Sequence, residues 1–322
     1  MASGSRLALA ALGLLIGAGP LAAQGGVATG GGLELVLPVG ARALGLGQAV
    51  VADNLGSESI WWNPAALGRQ RERELAVHHN QSFAVNADAV AIVWPVPPVG
   101  VVALSAVIYD YGTQEFTDAT GSLGSFTPQA KIFAATFAAD VGPRAYLGMN
   151  YKLYQLGVAC SGGCAGLGAQ SASTTALDFG AQFRISDDSS LFVGAALRNV
   201  GPRLQVNDAP QADPLPARLD LGATWAPRIP ALGPDAAVRF GAAMVNAIPS
   251  TGPGFRFGAD VTWQGNAHVS GGYVMRGPGG SGPTLALGAT TGRLHLDLAR
   301  LFSDNATNTG QPPTYVSLRY LF

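Results

Sequence analysis

The side chains that could carry out catalysis are few in this chain, and two groupings of histidine are the candidates. His78 and His79 are adjacent, but neighbouring residues of an extended strand point to opposite faces, so this pair cannot bind one metal ion together. His295 and Asp297 would share a face, but no Ser or Cys in a nucleophile-elbow context accompanies them. We therefore predict that the protein is not an enzyme and has no catalytic site, metal site or cofactor.

Residues 1–23 have the pattern of a secretory signal peptide. Arg6 precedes an apolar run at residues 7–16, and small residues lead to an expected cleavage site before Gln24. The run is too short to be a permanent membrane-spanning helix. The sequence therefore predicts that the chain is exported and that residues 1–23 are removed.

Two cysteines, Cys160 and Cys164, lie close together in a glycine-rich segment. An exported chain meets an oxidising compartment, in which a small loop disulfide is favoured. Free thiols and a metal pair are the alternatives, and two sulfurs without nearby His or further Cys make a poor zinc site. The sequence favours a Cys160–Cys164 disulfide over both alternatives.

The composition suits a protein that contacts lipid on one side. Charged residues make up 12% of the chain, about half of the share in typical soluble proteins, and 44 of the 322 residues are glycine. The mean hydropathy is +0.24. The net charge of -1 provides no basic surface of the kind that nucleic acids require. We therefore exclude nucleic acid as a partner.

Residues 314–322 alternate between the two faces of an extended strand. In a membrane-spanning barrel, one face would contact the lipid bilayer, and the other, with Tyr315, Ser317 and Arg319, would line the lumen. A terminal Phe with a Tyr two residues before it also resembles the C-terminal signal of bacterial outer-membrane barrels, which implies the barrel-assembly machinery as a partner. The lipid-facing residues are Val316, Leu318, Tyr320 and Phe322, and the predicted assembly signal is Leu318, Tyr320 and Phe322.

Residues 89–109 allow a competing interpretation, because they are almost continuously apolar and long enough for a transmembrane helix. Pro95, Pro97, Pro98 and Gly100 lie at the centre of this stretch. These residues disrupt a helix but suit a tight connection between two strands. We therefore interpret the stretch as a β-hairpin.

From residue 73 onward, the chain divides into fourteen segments in which the two faces of a strand alternate. Each has about ten residues, the length that a tilted strand needs to cross a bilayer. The pattern predicts an all-β fold, a fourteen-stranded antiparallel transmembrane barrel formed by residues 71–322. A soluble β-sandwich would also alternate. The segments lie near residues 73–82, 87–96, 100–110, 128–139, 144–156, 172–184, 190–199, 216–226, 236–246, 254–263, 267–276, 283–290, 292–301 and 313–322.

Two patterns favour the barrel over the sandwich. Long connections follow odd-numbered strands, whereas most connections after even-numbered strands are tight, as in outer-membrane barrels with external loops and periplasmic turns. Large aromatic residues lie at the ends of even-numbered strands on the outward face, where they would form one interfacial girdle. The long connections are residues 111–127, 157–171, 200–215 and 302–312, and the aromatic residues are Trp94, Phe183, Trp225, Trp263 and Phe322.

The opposite face of the strands would line the lumen and carries charges of both signs. Mixed signs in a narrow interior predict ion pairs between strands, which would stiffen the wall or hold a plug. The alternative is that each charge only keeps a water-filled lumen soluble. The predicted lumen residues are Asp178, Arg184, Arg198, Arg218, Asp220, Arg239, Arg256, Asp260, His295, Asp297 and Arg319.

Residues 24–70 do not have the pattern of membrane strands. After the strand pattern, they contain the most distinctive sequence motif of the chain. Gly45 and Gly47 would let the backbone turn sharply or approach the wall closely. Asn63 followed by Pro64 is a good start for a short helix at residues 64–69. We predict that residues 24–70 fold inward as a plug, which either seals the lumen or gates a substrate path. The motif residues are Gly40, Arg42, Gly45, Gly47, Asn63, Pro64 and Ala65.

The motif at residues 40–67 resembles the N-terminal signature of the PorV/PorQ family of outer-membrane proteins. That family is related in fold to the FadL-type transporters of long-chain fatty acids, which also have an Asn-Pro-Ala motif near the N-terminus, like residues 63–65 here. The related barrels have fourteen strands. The resemblance therefore implies a FadL-like barrel located in the outer membrane.

The resemblance implies two functions of different classes. A PorV/PorQ-type protein would be a non-enzymatic component or accessory of type IX-like protein secretion or surface attachment, with secreted proteins or secretion-system components as partners. A FadL-type protein would transport hydrophobic small molecules such as long-chain fatty acids or aromatic hydrocarbons. We take secretion as the main prediction and transport as the alternative. An apolar lumen wall that favours transport, but that could equally pack against the plug, consists of Ala91, Val93, Ala103, Ser105 and Val107.

Overall fold

The structure is a computed structural model, and the predicted signal peptide and Cys164 lie outside the residues that it describes. Among the described residues, no helix is both long and apolar enough to span a membrane. The described residues are 31–82, 85–119, 121–163, 170–188, 190–207, 212–248, 252–277, 280–303 and 312–322.

Most of the described chain forms β-strands, because small, β-branched and aromatic residues alternate with polar ones along it. The predicted segments correspond closely to the strands of the structure. The strands are β1 (Glu74–Gln81), β2 (Asn86–Val96), β3 (Gly100–Asp110), β4 (Gln114–Asp118), β5 (Gly121–Asp140), β6 (Ala145–Gly162), β7 (Gln170–Arg184), β8 (Leu191–Val200), β9 (Leu204–Gln205), β10 (Ala212–Asp213), β11 (Arg218–Trp225), β12 (Ala236–Ala247), β13 (Gly254–Trp263), β14 (Ala267–Gly277), β15 (Gly280–Thr291), β16 (Leu294–Leu301) and β17 (Thr314–Leu321).

Fourteen of these strands form one closed antiparallel barrel. Strand β3 pairs directly with β5, although β4 lies between them in the sequence. In the same way β8 pairs directly with β11, although β9 and β10 lie between them in the sequence. The ring closes where β1 pairs with β17. Among the described residues, each of the fourteen ring strands has a partner on both sides, which is what a sheet in a bilayer requires. The predicted fourteen-stranded transmembrane barrel is confirmed.

The exposure of the side chains shows which face of the wall points outward. In β17, Leu318 is 43% exposed whereas its neighbour Ser317 is fully buried at 0%. The predicted girdle residues are all exposed, and Trp94 packs edge-on against Phe322. Residues 89–109 belong to β2 and β3, which pair along their whole length, so the hairpin interpretation is confirmed.

Two of the predicted long connections are largely β-strand. Residues 111–127 include β4 and the start of β5, and β6 continues to Gly162, which still pairs with Gly124. The Gly and Ser content of these stretches suggested loops, but the antiparallel backbone ladder continues and holds them extended. Strands β5 and β6 therefore reach beyond their neighbours at the rim with the long connections, which we call the long-connection rim. The opposite rim is the short-turn rim, which is periplasmic in outer-membrane barrels.

Residues 31–70, called here the N-terminal segment, form short helices joined by irregular backbone, and most of them are buried. The predicted start at Asn63 is confirmed, because its side chain accepts a hydrogen bond from the Ala65 N–H at 3.1 Å. The helix that follows is of the 3-10 type. The helices of the segment are Leu33–Val36, Ala41–Gly45, Gly56–Glu58, Ser59–Trp62 and Pro64–Arg69.

Candidate functional site

One sector of the inner wall, formed by β2, β3 and β5 of the fourteen barrel strands, is apolar, and the N-terminal segment covers it. Ile60, Trp61 and Trp62 belong to one buried cluster with the inward-facing residues of these strands. Complete burial of an Ile side chain contributes about 1.5 to 3 kcal/mol to stability. The predicted apolar wall is therefore packed against the segment. Its residues in the cluster are Ala91, Val93, Ala103 and Val107, and Ser105 is buried as well.

Elsewhere in the barrel, the backbone of the segment lies directly on the wall. The wall has an inward-facing glycine on each of six strands at the places where residues 46–65 cross it. A Cβ atom at any of these glycines would collide with the segment, so close contact requires their small size. We call these residues the glycine row, and they are Gly148, Gly180, Gly194, Gly241, Gly258 and Gly272.

Two glycines of the predicted motif, which belong to the N-terminal segment, also allow this close contact with the wall. A Cβ on Gly45 would collide with the side chain of Ala286, and one on Gly47 with the carbonyl oxygen of Phe257. Gly47 also has a φ of 59°, which L side chains rarely adopt. The expected close approach to the wall at positions 45 and 47 is confirmed.

Polar contacts fasten the segment to the wall near both rims. Arg239 Nη1 donates to both carboxylate oxygens of Asp53 at 2.9 Å. Towards the long-connection rim, Glu34 accepts hydrogen bonds from the hydroxyl groups of Tyr111 at 2.6 Å and Tyr154 at 2.8 Å. The first attachment is an ion pair between a partly buried arginine and a buried carboxylate, whereas the second joins one carboxylate to two neutral donors.

The predicted lumen charges include ion pairs between neighbouring strands. The Asp220 carboxylate lies 3.4 Å from the guanidinium groups of both Arg198 and Arg218. Arg319 on β17 lies 3.3 Å from Asp297 on β16. Charges in a poorly hydrated interior need such partners, because unpaired ions are costly to bury.

Two of the predicted lumen charges have neutral partners. Arg256 is 1% exposed, and its Nη1 donates to the Gln48 side chain of the segment. Arg184 is half-buried near the short-turn rim and donates to the carbonyl oxygen of Pro143 at 2.8 Å. Arg256 therefore contacts the segment, whereas Arg184 joins a turn to the barrel.

The candidate histidines have structural partners. His295 and Asp297 both face inward, but His295 Nδ1 contacts Thr290 Oγ1 at 2.8 Å, and Asp297 Oδ1 lies 2.9 Å from His268 Nε2. The two residues therefore share a face, as predicted, without contacting each other in a catalytic arrangement.

His78 and His79 point to opposite faces, as predicted. His78 is buried, with Nδ1 2.7 Å from Ser317 Oγ, whereas His79 is exposed and lies 2.7 Å from Asp88. Within the described residues, no group of three or more His, Cys, Asp or Glu is suited to hold a metal ion. Cys160 lies in β6 and Cys164 lies outside the described residues, so their pairing stays a prediction.

Sequence analysis missed several charged residues of this site. Lys152 Nζ lies 2.6 Å from Asp178 Oδ2 and donates to Asn199 Oδ1 at 2.8 Å. The alternating pattern of β6 could have predicted that Lys152 faces inward, because it lies on the same face as Asn150. Asp53 lies in a stretch without periodicity, so no pattern indicated its partner.

Glu58 is a buried carboxylate at the centre of the N-terminal segment. It accepts hydrogen bonds from the N–H groups of Ala43 at 2.8 Å and Arg42 at 3.3 Å, at the start of the helix Ala41–Gly45. Burial raises the pKa of Glu58 to about 7, although the Arg319 cation and the two N–H groups act in the opposite direction. A Cβ on Gly40 would collide with this carboxylate, which explains the glycine in the motif.

The closed ring of lipid-facing strands, filled by an N-terminal segment, defines a barrel of the outer-membrane class. No protein-family model matches the chain, and no curated protein matches it either. The PorV/PorQ resemblance therefore stays a prediction that rests on residues 40–67.

Several solved structures are similar to the chain. The toluene transporter TbuX of Ralstonia pickettii is 13% identical, with 88% of this chain and 98% of that chain covered and a TM-score of 0.56. The CymD monoaromatic hydrocarbon channel is 15% identical, with coverages of 89% and 98% and a TM-score of 0.56. A Pseudomonas aeruginosa FadL homologue is 11% identical, with coverages of 89% and 99% and a TM-score of 0.51. The likeness shows that the chain shares the barrel fold of these structures.

We predict that Gly272→Ala loosens the segment from the wall. The new methyl group would collide with the backbone at Gly47, and such overpacking costs about 1 to 3 kcal/mol. The measurement is the free energy of unfolding in detergent, together with proteolysis of the segment. Gly271→Ala is the matched control, because this neighbour faces outward and its nearest atom is 3.7 Å away. Equal stability of the two variants would contradict the glycine row.

We predict that Glu58 makes the barrel more stable in mild acid. Its pKa in the folded state is above its ordinary value of 4.5, so its stabilising contribution is present below that value and is lost as the pH rises through about 7. The loss amounts to about 3 kcal/mol. Glu58→Gln should therefore flatten the difference in unfolding free energy between pH 5 and pH 8. The exposed Glu72→Gln is the control, and an unchanged difference in Glu58→Gln would disprove the assignment.

Proposed function

We propose that this protein is an outer-membrane channel for hydrophobic small molecules and that its N-terminal segment is a plug. The observation that carries the proposal is the apolar sector of the inner wall on β2, β3 and β5, which is unusual for a water-filled pore. The similar barrels are described as toluene transporters and a monoaromatic hydrocarbon channel, which supports the same substrate class. A wall of small apolar side chains suits an aromatic ring or an acyl chain.

The part of the plug that moves in this proposal is residues 31–39. These residues are held by the hydrogen bonds of Glu34 and by a bond from the Gly31 N–H to Pro214 O at 3.1 Å. Two neutral side chains also donate to their backbone, Asn199 Nδ2 to Leu35 O at 3.3 Å and Trp62 Nε1 to Val39 O at 3.0 Å. Beneath them, Leu35 and Val39 pack on the apolar cluster that includes Tyr109. Residues 40–70 stay in place, because the glycine row and the Asp53 ion pair hold them.

Secretion is the second candidate function. It is supported by the resemblance of residues 40–67 to the PorV/PorQ signature, and β5 and β6 offer an extended surface at the long-connection rim. The similar solved structures favour transport. The two functions predict different defects in a deletion strain, either in hydrocarbon uptake or in the secreted and surface-attached proteins.

We predict that tethering residue 31 to the β9–β10 hairpin blocks uptake. A Cβ on Gly31 would lie 3.0 Å from the Cβ of Asp213, so after a small shift Gly31→Cys with Asp213→Cys should form a disulfide. Uptake of labelled toluene and decanoate is measured in a deletion strain that carries either the wild-type or the double variant. Deletion should lower uptake, the wild type should restore it, and the oxidised variant should restore it only after reduction.

Single-cysteine variants control for each substitution alone. If the deletion strain takes up both compounds normally and instead loses secreted or surface proteins, the transport proposal is wrong and the secretion function is supported. If the oxidised double variant transports normally while deletion abolishes uptake, the channel function stands but residues 31–39 are not the moving part.

A further inference from the structure

The outer surface of the barrel has a polar concavity that the proposed channel does not use. It has a volume of about 980 Å³ and spreads over β5, β6 and β7 and the chain at residues 202–207. Its lining includes the outward-facing side chains of Lys131, Gln155 and Ser173. Polar side chains on the outward face of a membrane barrel are expected only where the wall leaves the hydrocarbon.

The strand register places this concavity at the edge of the apolar zone. Lys131, Gln155 and Ser173 lie in one row across β5, β6 and β7. The next row of outward-facing side chains, one step closer to the short-turn rim, has Phe133 on β5 and Leu153 on β6. The boundary between lipid headgroups and acyl chains therefore falls between these two rows.

An apolar groove of about 560 Å³ lies directly on the hydrocarbon side of this boundary. The floor of the groove is formed by the small outward residues Ala106 and Ala135. Larger residues stand beside them on the neighbouring strand, because Ala106 pairs with Phe133 and Ala135 with Leu104. Leu153 lines both the groove and the polar concavity. The two depressions thus adjoin at Leu153, the first polar and the second apolar.

The charge at the polar end is positive. Lys131 and Arg203 line it, and the described residues of its lining include no carboxylate. Arg203 Nη1 donates to Ala212 O at 3.3 Å. Two cations among amide and hydroxyl side chains form a suitable environment for a phosphate group.

We propose that this surface binds one phosphate-bearing lipid of the surrounding leaflet. Lys131 and Arg203 contact the phosphate, and one acyl chain lies in the groove over Ala106 and Ala135. The combination of a basic end at headgroup level and an apolar groove one row away matches the two ends of such a lipid. The site is on the outside of the wall and is independent of what the lumen carries.

The test measures lipid binding to the purified full-length protein in mild detergent by native mass spectrometry. The probes are dioleoyl phosphatidic acid, dioleoylglycerol, which has the same chains without phosphate, and inorganic phosphate. The wild type should bind phosphatidic acid at least tenfold more tightly than the other two. Lys131→Gln with Arg203→Gln, and separately Ala135→Phe, should each weaken this binding at least tenfold.

Matched controls separate the site from general effects. Arg276→Gln with Arg300→Gln removes the same charge from exposed cations on other strands, and Ala259→Phe adds the same bulk to an outward position of β13. Both should bind phosphatidic acid as the wild type does. Equal binding of dioleoylglycerol, equal binding of inorganic phosphate, or equal loss in the control variants would overturn the proposal.

Discussion

The interior of this barrel depends on direct contact between the backbone of the N-terminal segment and the wall. Such contact is possible only where both surfaces lack bulky side chains, as at Gly258 on β13 against Leu46 and at Gly47 against Phe257. The glycine row therefore determines both how deep the segment lies and where it crosses each strand. The irregular backbone of residues 46–52 is tolerated at membrane depth because protein surrounds it.

Two regions of the wall hold the segment by different forces. On β2, β3 and β5, apolar packing around Trp61 and Trp62 supplies the contact, and such packing has little directional preference. On β12 and β17, Arg239 and Arg319 bond to defined atoms of the segment, the Asp53 carboxylate and the Leu55 carbonyl oxygen. The directional contacts fix the position of the segment, and the apolar contacts fill the remaining space.

The sequence predicted the wall well because one physical constraint acts along every strand. In β13, Phe257 must face lipid and Arg256 the interior, so alternation reveals both the strand and its register. Alternation is lost at the start of β5, near residues 121–127, where neither face packs against lipid or the segment. The sequence therefore predicted a loop there. The contact of Asp53 with Arg239 was not predictable, because it depends on how an aperiodic segment crosses the lumen.

In the proposed channel, electrostatics decides which part of the N-terminal segment can leave the wall at low cost. Withdrawing Asp53 would break the ion pair with Arg239, which keeps Asp260 at 3.3 Å, and would separate two charges in a poorly hydrated interior. Withdrawing Glu34 leaves only neutral tyrosines behind, and water can solvate the released carboxylate. The apolar surface under Leu35 would then be exposed, and a hydrophobic molecule can cover it where water cannot. In the proposed channel, opening and substrate binding are therefore coupled, because the substrate replaces the apolar contacts that residues 31–39 give up.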